Sequence, residues 1–417
     1  MGRLVAKLLV LCFISLTTCS LSAALRAHDL RRGLEQAVRG RLLADATEGG
    51  AVVPIHWSQA HYVANFTIGT PPQPASGIID LSGELIWTQC SQCSGCFKQE
   101  LPLFDPTASS TYRPEPCGTA LCESIPRDSR NCSSNLCVYK ASTRAGETGG
   151  LVGTDTLAVG TAKASLAFGC VVVSDIDTMD GPSGFVGLGR TPWSLVAQTD
   201  VAAFSYCLAP HDAGKNSALF LGSSAKLAGS KSTTPTPFVN ISAGSSDDAF
   251  GNYYKVHLEG LKAGDAVIAL PPSGSTVLLD TFSPVSFLVD GAYQALKKAV
   301  TSAVGSAPTA TPLKPFDLCF PKASASSAPD LVLTFHGAAA MTVPPSNYLL
   351  DDGRGGVCLA ILSSARLNLT PELEGLSILG SLQQENIHFL FDLEKDALPF
   401  EPADCSKLSS SMAATSF

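Results

Sequence analysis

The chain has 417 residues and a formal net charge of −8, with 45% of its residues hydrophobic and 15% charged. So low a charge content beside ample apolar residues excludes a disordered polyelectrolyte and a solvated coiled coil. The 36 Gly and 27 Pro mark a turn-rich chain of many short strands.

Residues 1–24 read as a secretory signal. Arg3 and Lys7 form the basic start, Leu8 to Leu16 an apolar run, and Ser22-Ala23-Ala24 a small-residue cleavage site. The run is too short to span a bilayer, and no later stretch reaches about 18 apolar residues. The tail at 406–417 is polar, so no membrane anchor is expected. Residues 25–55 read as a propeptide, with Arg26, Arg31, Arg32, Arg39 and Arg41 set among Leu and Val at helical spacing. Residues 1–50 carry 7 basic and 4 acidic side chains, which leaves the remainder at −11. Such a body repels nucleic acid and anionic membranes. A basic prosegment would dock on it by charge and leave as the pH falls.

Beyond the prosegment, short β-type runs follow one another: Tyr62–Ile68, Ser76–Ile79, Leu85–Gln89, Leu166–Val173, Tyr253–Leu261, Thr276–Leu279, Leu331–Phe335 and Ile387–Asp392. Helical periodicity is scarce. Val289 to Val304 predicts the main amphipathic helix, and Pro192 to Gln198 a short one. The fold class is therefore mainly β.

A core of this size folds without covalent staples, so the 14 cysteines need another explanation. Cys12 and Cys19 leave with the signal. Twelve remain: Cys90, Cys93, Cys96, Cys117, Cys122, Cys132, Cys137, Cys170, Cys207, Cys319, Cys358 and Cys405. The spacing at 90, 93 and 96 suits zinc in a cytosolic protein. Behind a secretory signal, with no His nearby, it reads as disulfide chemistry, and no metal or cofactor is expected. Glycosylation acceptors at Asn65, Asn131, Asn240 and Asn368 fit secretion to the extracellular space (the apoplast), with a vacuole as the alternative destination. Nothing in the sequence calls for an oligomer, so a monomer is expected.

The chain also echoes itself. Ile78-Ile79-Asp80-Leu81-Ser82 matches Leu278-Leu279-Asp280-Thr281-Phe282, 200 positions later. In each case two aliphatics lead into an Asp at a strand end. Phe185-Val186-Gly187-Leu188-Gly189 follows the first, and Ser377-Ile378-Leu379-Gly380 the second. One strand ending in Asp is commonplace. Two at equivalent places divide the chain into similar lobes, 56–240 with a cysteine-rich insert at 90–137, and 241–405. Set across a pseudo-two-fold axis, Asp80 and Asp280 would face each other. Like charges about 3 Å apart cannot both ionise, so such a pair shares a proton. The ionised partner takes a proton from a water, and the protonated one donates to a scissile carbonyl oxygen, which is acid/base amide hydrolysis at acidic pH. The seven His residues are scattered, and neither a zinc-peptidase helix motif nor a serine nucleophile elbow occurs.

With these residues in place, the chain resembles the pepsin-like aspartic peptidases, in particular their plant nepenthesin-like branch. The resemblance spans about residues 60–405. It rests on Tyr62 to Gln73, on Leu85 to Cys90 with its Trp87, on the seven cysteines from Cys90 to Cys137, and on the segments around Cys207, Cys319 and Cys358. It implies a bilobal β fold with a cleft between the lobes, a protein or peptide substrate, and six disulfides, with Cys207–Cys405 and Cys319–Cys358 in the second half.

The active-site loops depart from the family pattern. The family carries Asp-Thr-Gly-Ser and Asp-Ser-Gly-Thr. This chain has Asp80-Leu81-Ser82-Gly83 and Asp280-Thr281-Phe282-Ser283. The resemblance implies that Phe282 strains the turn wherever the glycine position needs an unusual backbone. It implies that Leu81 loses a bracing hydroxyl while Thr281 keeps its own. It also implies that Gly83 lacks, and Ser283 retains, a hydroxyl for the carboxylate. In the flap, Ser142 falls near the family's Tyr, and Tyr139 lies too early. Two readings stand: a secreted aspartic endopeptidase of reduced activity, and a pseudo-peptidase that binds a partner through the same cleft, as cereal xylanase inhibitors do.

Overall fold

The computed structural model describes residues 50–143, 145–229, 234–239, 253–271, 276–309, 312–367 and 375–413. The expected signal and most of the expected propeptide lie outside these residues, as do Asn240 and Asn368.

Strand follows strand, with helices few and short. The one long helix among the described residues, Asp290–Val304, buries Ala292, Tyr293, Leu296 and Val300 on one face and ends at Gly305, whose positive φ closes it in the left-handed conformation. Its span matches the predicted helix to within one residue. A second short helix, Leu195–Gln198, starts on a Ser194 cap.

Each lobe is organised about a strand that ends in one of the two Asp residues. In the first, Gln73–Asp80 runs parallel to Gly184–Gly187, with Asp80 opposite Gly187, and Ile86–Gln89 packs antiparallel on the other side of the latter. In the second, Thr276–Leu279 runs parallel to Leu376–Leu379, and Ser286–Leu288 takes the place of Ile86–Gln89. The echo seen in the sequence is thus a repeat of strand topology.

The sheet that holds the first Asp strand also takes in strands from the far end of the chain. Ala51–Ser58 pairs with Ser217–Leu221 and with His61–Ile68, and Ala203–Cys207 pairs with Ile387–Asp392 from the far end of the chain. Phe204 stacks on Phe391 with centroids 4.4 Å apart. Residues 51–55, expected in the propeptide, are a paired strand of this sheet with Val53 and Ile55 fully buried. Within the expected polar tail, Cys405–Ala413 is helical, and Leu408 packs on the cluster around Cys207.

Among the described residues six disulfides use all twelve cysteines. Cys207–Cys405 and Cys319–Cys358 are paired as the resemblance implies. The insert holds Cys93–Cys96, Cys117–Cys132 and Cys122–Cys137, and Cys90–Cys170 ties its root to the strand Ala162–Ser174. Asn65 and Asn131 are both exposed. Among the described residues no helix is long and apolar enough to cross a membrane.

Candidate active site

Asp80 and Asp280 end their strands where aliphatic pairs, Ile78-Ile79 and Leu278-Leu279, anchor the chain in the core. Both carboxyls are buried, at 6% and 1% exposure. Each is held by the amide two residues on. Ser82 N donates to Asp80 Oδ1 at 2.8 Å, and Phe282 N donates to Asp280 Oδ1 at 3.0 Å. A backbone amide is present whatever the side chain, which is why both contacts survive loss of the family glycines. Phe282 does not have a positive φ. The expected backbone strain is therefore absent, because the turn here sits in a region open to any residue.

The hydroxyl contacts differ from expectation. Ser283 Oγ donates to Val285 O at 2.8 Å rather than to the carboxylate, and Ser283 reaches Asp280 Oδ2 through its amide at 3.3 Å. On the first Asp the hydroxyl comes from Ser82, whose Oγ donates to Oδ1 at 2.6 Å. Gly83 contributes close packing instead: a Cβ there would lie 2.9 Å from Gly187 Cα.

Thr281 joins the loops. Its Oγ1 donates to Ile79 O at 2.7 Å and accepts from Leu81 N at 3.1 Å, both across the lobe boundary. Leu81, fully buried in the core, fills the mirror position with hydrocarbon, so the brace is one-sided. Below the second loop, Gln384 Nε2 donates to Asp280 O at 2.7 Å and to Leu379 O at 2.8 Å, and Tyr206 OH donates to Gln384 Oε1. These two supports were not found from the sequence. Gln384 follows Gly380 closely, but an amide side chain carries no spacing signal of its own.

Above the loops, the hairpin of Leu136–Thr143 and Gly146–Val159 overhangs the cleft. Ser142 lies on the wall of a cavity of about 300 Å³ with Asp80, Ser82, Gly83, Trp87, Phe185 and Tyr253. Tyr139 is turned away. It is buried against Gly169, opposite Gly150 in register, and does not reach the cleft. Burial pushes its phenol far up. A larger cavity, about 730 Å³, lies behind the hairpin around Tyr139, Lys140 and Val173 and includes neither carboxyl.

Phe282, from the second lobe, packs against the first lobe's aromatic cluster. Its ring stacks on His61 (centroids 4.8 Å) and on Phe185 (5.5 Å), both from the first lobe. Phe185 in turn packs on Trp87 at 5.0 Å. His61 Nδ1 lies 2.9 Å from Phe282 O. A carbonyl only accepts, so Nδ1 carries the hydrogen. Burial holds the His61 pKa below its ordinary value, offset in part by this bond and by Asp180 and Asp280. His61 was one of the scattered histidines in the sequence; only the fold brings it to the site.

Comparison with known proteins gives the same picture. Residues 62–223 match the family model "Xylanase inhibitor N-terminal", and 253–402 match "Xylanase inhibitor C-terminal". The chain is 32% identical to aspartic proteinase nepenthesin-1 of Nepenthes gracilis, over 90% of this chain and 86% of that one. It is 30% identical to nepenthesin-2 of the same plant, over 90% and 85%. Among solved structures, the soybean basic 7S globulin is similar with a TM-score of 0.70 at 19% identity, over 86% of this chain and 96% of that one. The lupine seed globulin conglutin gamma is similar at 0.69 and 20%, over 86% and 98%. With two matched lobes and relatives of this extent, the chain belongs to the plant pepsin-like aspartic proteinase family, in its nepenthesin-like branch.

Proposed function

We propose that the chain is a secreted aspartic endopeptidase that hydrolyses peptide bonds at acidic pH, with Asp80 and Asp280 as the catalytic pair. The observation that carries this reading is the matched seating of the two carboxyls: the same backbone amide on the same oxygen in both loops, with Thr281 tying the loops together. One carboxyl keeps a proton and the other takes one from a water held between them. The water oxygen attacks the scissile carbonyl carbon, and the protonated carboxyl donates to the carbonyl oxygen. Proton return to the leaving nitrogen then breaks the C–N bond, with no covalent enzyme intermediate. Burial of both groups keeps bulk water out and strengthens every charge interaction in the site.

A second reading has its own support. The Phe282 ring is stacked on Phe185, a wall of the cleft, and its carbonyl is already bonded to His61. A cleft so furnished suits a pseudo-peptidase that holds a peptide, a glycan or another enzyme without cutting.

Acid incubation with a denatured protein substrate, at about pH 3.5 where a shared-proton pair is poised, separates the two. The first reading expects cleavage that pepstatin blocks and that Asp80→Ala abolishes. Loss of about 10²-fold or more is the scale for removing a general acid/base. A folded chain that leaves the substrate intact overturns it in favour of the binder. Glycan occupancy at Asn65 and Asn131, both exposed, is part of the same proposal and is read by mass after endoglycosidase treatment.

A further inference from the structure

We propose that Phe282 sets the substrate class: its ring closes the Phe185 end of the cleft, so the site takes peptides with a small side chain (Gly, Ala or Ser) on the residue that lies against that wall. The proposal rests on the cleft reading above, and its test is built so that the two can fail separately.

Three observations converge. The first is position. Phe282 N is bonded to Asp280 Oδ1, so the side chain leaves the backbone two residues on from the second carboxyl. Any residue whose carbonyl sits between the two carboxyls must pass its side chain close to this ring. The second is immobility. The ring lies between His61 and Phe185 at near-parallel angles of 21° and 28°, and it joins the first lobe's aromatic cluster although it comes from the second lobe. Stacked rings of this kind hold each other beyond simple area burial. The third is the shape of the space that remains. The 300 Å³ cavity is walled by Asp80, Leu85, Phe185, Ser142 and Tyr253, and the Phe282 ring stacks on the Phe185 wall. A branched or aromatic substrate side chain would compete with Phe282 for the face of Phe185. A methyl or hydrogen would not.

The His61 bond adds a consequence for the substrate backbone. An extended peptide in a cleft is held by main-chain hydrogen bonds from the walls. Phe282 O already receives His61 Nδ1. Substrate binding therefore leans on the opposite rim, at the Ala141–Thr143 side of the hairpin.

The test uses binding, which does not require turnover. Two peptides with a non-hydrolysable hydroxymethylene centre, identical except for an isobutyl or a methyl side chain at that centre, are titrated calorimetrically against the mature chain, Phe282→Gly, Phe282→Leu and Asp80→Ala. The wild type is expected to bind the methyl peptide at least about tenfold tighter, the scale by which a hydrophobic pocket discriminates a few methylenes. Phe282→Gly is expected to erase or invert that ratio. Phe282→Leu keeps apolar bulk without a stacking face and falls between the two, which guards against loss of folding in the glycine variant. Equal binding by the wild type, tighter binding of the isobutyl peptide, an unchanged ratio in Phe282→Gly, or no binding of either peptide each overturns the proposal. A ratio that shifts as expected in a protein that cleaves nothing upholds the plug and defeats the peptidase reading. Cleavage with no size preference does the reverse.

Discussion

The floor beneath the two carboxyls and the rims above them have followed different rules. On the floor the two halves match: Gly187 lies under the first loop and Gly380 under the second, and a Cβ at either would meet backbone oxygens at 2.6 Å and 2.4 Å. On the rims the halves diverge, with an aromatic stack on the Phe282 side and a serine hairpin on the other. The difference follows from what each contact needs. The carboxyl oxygens are seated by main-chain amides, which Ser82 and Phe282 supply as well as glycine does. The glycines of the floor are fixed by space that no side chain can enter. The loop side chains that face outward are free to change the cleft without moving the acids.

The largest effect should come from violating the floor. Gly380→Ala places a methyl 2.4 Å from Val285 O and 2.9 Å from Ser283 O, backbone atoms that cannot rotate away. Overpacking of this kind typically costs 1–3 kcal/mol, and with backbone on both sides we expect about 3 or more. The denaturant midpoint should fall sharply, and activity with it. A variant as stable as the wild type would show that the loop is looser than its packing implies.

Next in size is the acid response, where buried His388, on the strand Ile387–Asp392, and half-buried His211 act in opposite senses. His388 faces Ser205 Oγ at 2.9 Å, the Phe220 ring, and Glu401 at 3.9 Å, whose carboxylate is itself bonded to the amides of Ala228 and Gly229. Burial lowers its pKa from 6.5 to about 4. The unfolded chain therefore takes a proton below pH 6.5 that the native chain refuses until about pH 4, so stability falls as the pH falls through that window. The full shift corresponds to a loss on the order of 3 kcal/mol. His211 is raised, first by its hydrogen bond to Glu385 and despite partial burial, so its contribution is present below 6.5 and fades as the pH rises through its raised value. His388→Gln, which keeps a partner for Ser205, should flatten the fall in Tm between about pH 6.5 and 4. An unchanged slope would place the acid response elsewhere.

A smaller loss is expected from cutting the brace. Thr281→Val preserves shape but leaves Leu81 N and Ile79 O buried without this partner. Unsatisfied buried groups cost about 1–3 kcal/mol, so stability should drop by about 2 kcal/mol. Turnover should drop further than stability alone explains, since displacement of a catalytic group by 1 Å costs about 10²-fold. Equal stability in the variant would mean that the two loops are held together by packing.

Much of this arrangement is legible in the sequence because it is local or repeated. The strands at Thr276–Leu279, Leu331–Phe335 and Ile387–Asp392 stand as read, since aliphatic runs bounded by turn residues leave few alternatives. The Asp80 and Asp280 pair is visible because a duplicated strand end is a pattern, and Cys207–Cys405 because the family resemblance carries it across 198 residues. What escapes is set by contacts between distant residues of ordinary type. His61 meets Phe282 across 221 positions, and Gln384 meets Asp280 across 104, with nothing local to mark either. The mistaken hydroxyl assignment has the same origin. Ser82 and Ser283 are equally polar in a string of letters, and only the turn geometry decides which one faces a carboxylate.

The smallest expected effect separates the two rims. Ser142 is exposed at the hairpin edge of the cavity and carries little packing, so Ser142→Tyr should leave stability within about 0.5 kcal/mol of the wild type. The added ring would overhang the cleft on the side of Trp87 and exclude water from the acids, as closing elements do. A several-fold rise in kcat/KM in acid would place a limit on turnover at the hairpin rim. The contrasting variant, Phe282→Gly with Leu81→Thr, opens the far rim and supplies the missing half of the brace. If that pair raises turnover and Ser142→Tyr does not, the limit lies beside Asp280, where the ring stands. If Ser142→Tyr alone helps, the Phe282 stack is compatible with rapid chemistry, and the hairpin is the element that this chain has let go.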